Sequence, residues 1–93
     1  MSTDPNADVL QRLFEVIESR RVADPDSSYT AKLLAGGPKK IAKKIGEESA
    51  EVVIAALSEG KDAVTLESAD LLYHLLVMWS ATGVRPEDVY AEL

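Results

Sequence analysis

The chain contains no cysteine, which excludes both a disulfide framework and a thiolate metal centre. Its first residues, MSTDPNAD, have neither the basic nor the apolar stretch of a secretory signal, and no apolar run reaches membrane-spanning length. These absences predict a soluble, cytoplasmic protein with no membrane partner. Positive charge is in short supply: 10 Lys+Arg stand against 16 Asp+Glu, a formal net charge of −6. That balance argues against a protein that holds nucleic acid by counterion release. Strand patterns are missing too. Val52-Val53-Ile54 is a β-like triplet, but helix formers surround it. No internal repeat or linker divides the 93 residues, so a single domain over 1–93 is expected. A hydrophobic fraction of 46% is enough for an ordinary core, although a chain this short lies near the lower limit for burying one alone.

What is present reads as helices separated by clear stops. Asp4-Pro5 offers a capping carboxylate followed by proline at the first helical position. Leu10, Leu13, Phe14 and Ile17 then recur at helical spacing, to about Arg21. The segment from Ala23 to Ser28 is rich in Asp and Ser, contains Pro25, and reads as a loop. Ser27 or Ser28 caps a short helix, TAKLLA, which Gly36-Gly37 ends. Pro38 starts a long helix running to about Glu59 and stopped by Gly60. Another covers about Asp62 to Thr82, stopped by Gly83, and Arg85-Pro86 begins a last short one. The expected fold is all-α, a helical bundle with two long central helices.

Those two helices differ. On the first, Ile41, Ile45, Val52 and Ala56 form one apolar stripe, with Lys40, Lys44, Glu47, Glu48 and Glu51 on the adjoining sector. Gly46 inside it costs roughly 1 kcal/mol relative to alanine, which points to a close approach there. The second is apolar nearly all round, from Leu66 through Leu71, Leu72, Leu75, Leu76, Val77 and Met78 to Trp79. A helix of that kind needs burial on every side, more than so small a monomer supplies, so the bundle is expected to be completed by dimerisation.

Glu67 and Asp70 interrupt this apolar helix, and with His74 they share one face at i, i+3 and i+7. No lysine or arginine occurs between Lys61 and Arg85 to neutralise them, and burying an unpaired carboxylate costs several kcal/mol. The cation comes either from the lysines of the preceding helix or from a metal. Glu47, Glu48 and Glu51 form the matching half: if the helices pack antiparallel, carboxylates from each face the other. An all-oxygen donor set suits a hard divalent ion such as Mg²⁺ or Mn²⁺. The plainer readings stand beside this one. A Glu-rich helix face is ordinarily solvated surface, Lys43 and Lys44 pair with Glu47 and Glu48 at i, i+4, and a lone histidine is more often a satisfied interior group than a ligand. Arg20, Arg21, Tyr29 and Thr30 are further candidates for touching a substrate, though no spacing argument places them, and Arg20 and Arg21 equally suit the C-terminal end of a helix, where the dipole favours cations.

Taken together, Lys43-Lys44-Ile45-Gly46-Glu47-Glu48-x-x-Glu51 and Glu67-x-x-Asp70 resemble the signature of the all-α, MazG-like nucleotide pyrophosphohydrolases. Within that superfamily, SYTAKLL at Ser28 to Leu34, KKIAKKIGEE at Lys39 to Glu48 and ESADLLYHLLV at Glu67 to Val77 resemble the phosphoribosyl-ATP pyrophosphohydrolases. The acidic motif marks only the superfamily. SYTAKLL and the Tyr73-His74 pair select the narrower family, and the match runs from about Leu10 to Leu93. The resemblance implies Mg²⁺-dependent hydrolysis of phosphoribosyl-ATP to phosphoribosyl-AMP and diphosphate, a step of histidine biosynthesis, by a homodimer. Carried over by position, Glu48, Glu51, Glu67 and Asp70 become the metal carboxylates, and Glu47 and Glu48 the catalytic pair. Glu47 contributes to a second metal or orients and deprotonates water, while Lys40, Lys43 and Lys44 face substrate phosphates. Some relatives carry the next pathway enzyme on the same chain; here that activity is expected on another.

Two alternatives remain open on sequence. One is a housecleaning pyrophosphatase of the same superfamily acting on free (deoxy)nucleoside triphosphates. The other is a non-enzymatic helical dimerisation module whose acidic patch is structural.

Overall fold

The computed structural model describes residues 8–93. The expected cap at Asp4-Pro5 lies outside the described residues. Four α-helices follow one another: α1 (Val9–Ser19), α2 (Tyr29–Ser58), α3 (Lys61–Thr82) and α4 (Pro86–Glu92), with one 3-10 turn, Arg20–Val22, after α1. Among the described residues there is no strand. The Val52-Val53-Ile54 triplet lies inside α2, where the surrounding helix formers override its β preference.

The break expected at Gly36-Gly37 is a corner rather than a gap. Gly37 has φ 81° and ψ 177° inside α2, a conformation that only glycine adopts without strain. Pro38 follows it and removes the next backbone donor. Segments 29–36 and 38–58 are therefore two helical arms meeting at an angle. Ser28 starts the first arm: its Oγ accepts from the Ala31 N–H at 3.1 Å, so Ser28 rather than Ser27 is the cap. In the loop before it, the Asp24 carboxylate accepts from the Asp26 N–H at 2.9 Å.

Glu59 and Gly60 join α2 to α3, and Gly60, at φ 106°, lets its own N–H reach back to the Ala55 carbonyl at 3.0 Å. So tight a turn lays the two long helices antiparallel, and they form the principal packing pair of the molecule. Gly83 closes α3 in the left-handed conformation, while the Val84 N–H reaches the Trp79 carbonyl at 2.9 Å. At α4, the Asp88 carboxylate accepts from the Arg85 N–H at 2.9 Å, with Pro86 at the first helical position.

Phe14 and Ile17 of α1, Leu33 and Ile41 of α2 and Leu76 and Val77 of α3 form the buried core. Leu10, Leu13, Ile45, Tyr73, Met78 and Trp79 pack around them. The apolar stripe of α2 needs one correction. Ala56 is exposed and Ala55 is fully buried, because the helix turns Ala55, not Ala56, under Ile41 and Val52 toward α3. Gly46 needs another: a Cβ there meets nothing within 4 Å, so no part of the described chain makes the close approach expected of it.

Arg21 braces α1 against α3. Its Nε donates to Glu18 at 2.6 Å, its Nη2 donates to the Ser80 carbonyl, and the buried Ser80 hydroxyl donates to the same Glu18 carboxylate at 3.2 Å. This arginine is occupied in holding the fold.

The chain leaves much apolar surface uncovered. Leu57 is 83% and Leu66 63% exposed, and Val53, Ile54 and Leu72 are exposed as well. No helix among the described residues is long and apolar enough to cross a membrane.

Candidate active site

Two polar clusters lie along the α2–α3 contact. The first is acidic. Antiparallel packing brings Glu48 of α2 opposite Glu67 and Asp70 of α3, with ligand oxygens of all three within 4.8 Å of one another. Glu48 and Glu67 are half-buried and Asp70 is exposed. Among the described residues no lysine or arginine forms an ion pair with Glu67 or Asp70. Glu67 carries the consequence: partial loss of solvent, then the negative charges of Glu51, Asp70, Glu48 and Glu59, raise its pKa above the ordinary carboxylate value. Of these three converging carboxylates only Glu48 has a lysine within ion-pair distance, and Glu67 is disfavoured as an anion. Together they are an all-oxygen group that could hold a hard divalent ion.

Glu51 is exposed and lies outside the convergent trio, though close enough for its charge to act on Glu67. Glu47 is also exposed. Lys44 Nζ sits 3.5 Å from Glu47 and 4.0 Å from Glu48, so Lys44 serves both glutamates. Lys40 and Lys43 are exposed on the same arm.

The second cluster does not follow from spacing. The Tyr29 hydroxyl lies 3.0 Å from His74 Nε2, and the His74 Nδ1 lies 2.7 Å from the Asp70 backbone carbonyl. A carbonyl only accepts, so Nδ1 carries the proton and donates, and in neutral His74 the Nε2 lone pair receives the Tyr29 O–H. Thr30 Oγ1 bonds the Tyr73 hydroxyl. The rings of Tyr29 and Tyr73 stack at 6.3 Å and 27°, and His74 stands edge-on to both. His74 is buried, at 6% exposure, with both ring nitrogens bonded. This is the satisfied interior histidine of the plainer reading, but one that ties α2 to the residue carrying Asp70.

The corner at Gly37 brings this about. In an unbroken helix Tyr29 and Lys44 would stand roughly 22 Å apart. Here each acts on the other's proton affinity. The Lys44 pKa is raised, first by Tyr29 and then by Glu47. Burial raises the Tyr29 pKa, and Lys44 opposes it. Tyr29 and Thr30 belong to SYTAKLL, and Tyr73 and His74 to the segment following Asp70. The two stretches that select the narrower resemblance thus meet each other, beside the acidic residues that mark the wider one.

Helices alone, with a convergent acidic group that could hold a metal ion and lysines beside it, define the class: an all-α protein with a candidate metal site. Comparison makes the assignment narrower. Residues 10–93 match the family described as phosphoribosyl-ATP pyrophosphohydrolase. The phosphoribosyl-ATP pyrophosphatase of Paramagnetospirillum magneticum is 61% identical over 85 residues, 91% of this chain and 78% of that protein. That of Rhodospirillum rubrum is 50% identical over 93 residues, 100% of this chain and 80% of its own. That of Parvibaculum lavamentivorans is 58% identical over 88 residues, 95% and 81% respectively. The chain belongs to the phosphoribosyl-ATP pyrophosphohydrolase family.

Proposed function

We propose that this chain hydrolyses phosphoribosyl-ATP to phosphoribosyl-AMP and diphosphate, using the acidic cluster with Mg²⁺ as the working ion. The observation that carries the reading is the convergence of Glu48, Glu67 and Asp70 within 4.8 Å in a chain whose family is defined by that substrate. Glu48, Glu67 and Asp70 would hold the ion, with Glu51 alongside. A divalent ion held there would supply positive charge to offset the charge that develops on the phosphates. The protein's own groups do the rest. Glu47, exposed one position before Glu48, takes a proton from the water that attacks phosphorus. Lys40, Lys43 and Lys44 present positive charge to the substrate phosphates. Water forms the new P–O bond, the α–β anhydride bond breaks, and diphosphate departs. No side chain need be modified on the way.

A second copy of this chain is the partner that best suits the exposed Val53, Ile54, Leu57, Leu66 and Leu72, since abundant exposed apolar area marks an association surface.

Diphosphate release from phosphoribosyl-ATP, dCTP, dUTP and ATP, each with and without Mg²⁺, tests the assignment. Preference for phosphoribosyl-ATP, dependent on Mg²⁺, is expected. Preference for a free triphosphate would transfer the chain to the housecleaning reading, and no release from any of them by folded protein would overturn catalysis altogether.

A further inference from the structure

Carboxylates and lysines recognise polyphosphate but do not distinguish one nucleotide from another. Something beside the acidic cluster has to present an apolar face to a base, and the described aromatic residues narrow the choice. Phe14 is in the core and Trp79 packs against it. Tyr90 is 46% exposed but lies on α4, which packs on α1. Tyr73 is half-buried under its neighbours, whereas Tyr29 is 50% exposed.

Resting on the proposed hydrolase reading, we infer that Tyr29 receives the purine ring of the substrate, and that His74 is the positioning residue that holds Tyr29 ready for it. Tyr73 stacks with the Tyr29 ring at 6.3 Å, and half of Tyr29 stays in solvent. At its far end the hydroxyl is fixed by His74 at 3.0 Å. The ring is therefore both exposed and held in place, although the same seam buries His74 almost completely. A ring fixed in advance loses little further freedom when a base stacks on it. The chain of bonds from Tyr29 through His74 ends on the Asp70 carbonyl at 2.7 Å, and the Asp70 carboxylate belongs to the acidic cluster. On this proposal a nucleotide whose phosphates lie on that cluster and on Lys44 turns its base toward Tyr29. Base–aromatic stacking of ordinary strength then corresponds to roughly a tenfold or greater change in affinity.

Tyr29→Leu removes the stacking face, while Tyr29→Phe keeps it and loses only the tie to His74. Tyr29→Leu is expected to raise KM for phosphoribosyl-ATP about tenfold or more with kcat changed much less, and Tyr29→Phe to raise it only a few-fold. Adenosine, which has no phosphate, provides a readout free of metal and of catalysis. In EDTA, magnetisation transfer between its ring protons and the Tyr29 ring of wild type is expected in NMR, a measurement that needs no variant to fold. Absence of that contact, or an unchanged KM in folded Tyr29→Leu, would overturn the role of Tyr29. Failure of wild type to release diphosphate would instead overturn the hydrolase reading, and the adenosine contact would still decide the role of Tyr29 by itself.

Discussion

The α2–α3 contact holds two polar clusters side by side, and they stand in opposite states. The Tyr29–Thr30–Tyr73–His74 seam is complete within one chain: its hydroxyls and both imidazole nitrogens are paired. The Glu48–Glu67–Asp70 cluster is not, because its carboxylates repel one another and Glu67 is pushed toward its protonated form. Satisfied polar groups fix a structure, whereas uncompensated charge is retained where a ligand removes the penalty. The first cluster therefore reads as the frame, which also holds the exposed Tyr29 ring in place, and the second as the part that works on phosphate.

The largest effect should come from the working part. Glu48→Gln, which keeps the shape and removes the charge, is expected to lower diphosphate release by about 10²-fold or more, with the helical circular dichroism spectrum unchanged. A spectrum that collapses together with activity would make Glu48 part of the frame instead.

His74→Ala should do the reverse in emphasis. It strips partners from the Tyr29 hydroxyl and the Asp70 carbonyl and opens a hole beside Tyr73, so a loss of about 1–3 kcal/mol in urea unfolding is expected. Stability equal to wild type would show that the seam is not needed to hold α2 on α3.

Glu67→Gln sharpens the contrast through pH. The fold disfavours ionised Glu67, so its folded pKa lies above the unfolded one. Wild type therefore carries a penalty at pH values above that raised pKa, and the penalty fades as pH falls through it toward the ordinary range. In metal-free buffer Glu67→Gln should melt higher than wild type at neutral pH, and the two should converge once the pH falls to the ordinary carboxylate range. Mg²⁺ should raise the melting temperature of wild type more than that of the variant. A variant that melts lower than wild type at neutral pH would mean that the charge is compensated within the chain.

The smallest effect concerns Gly46, whose open side meets nothing in the chain. Gly46→Ala should stabilise the folded chain by about 0.5–1 kcal/mol. If activity falls while stability rises, the open side is where a substrate or a second copy comes close; if neither changes, the glycine has no such role.

Much of this is legible in the sequence, and for identifiable reasons. Helix stops at Gly37, Gly60 and Gly83 act through the chain's own backbone, and the structure has all three at positive φ. Glu48 opposite Glu67 and Asp70 follows from period and antiparallel packing, both local rules. The Tyr29–His74 tie follows from neither. It depends on the angle between the two arms of α2 at Gly37-Pro38, a torsional detail that no periodicity encodes. Its one trace in the sequence is that SYTAKLL and Tyr73-His74 select the family together. Ala55 and Ala56 lie on opposite edges of the stripe through Ile41, Ile45 and Val52, and periodicity alone does not say which edge faces α3.

The most direct test of the central claim is the rate of diphosphate release from phosphoribosyl-ATP as Mg²⁺ is added to chelator-treated wild type and Glu48→Ala. The account predicts no release without the ion, a saturable rise in wild type, and a flat response in a variant that remains helical. Release by wild type in excess EDTA, or an unchanged response in Glu48→Ala, would contradict it.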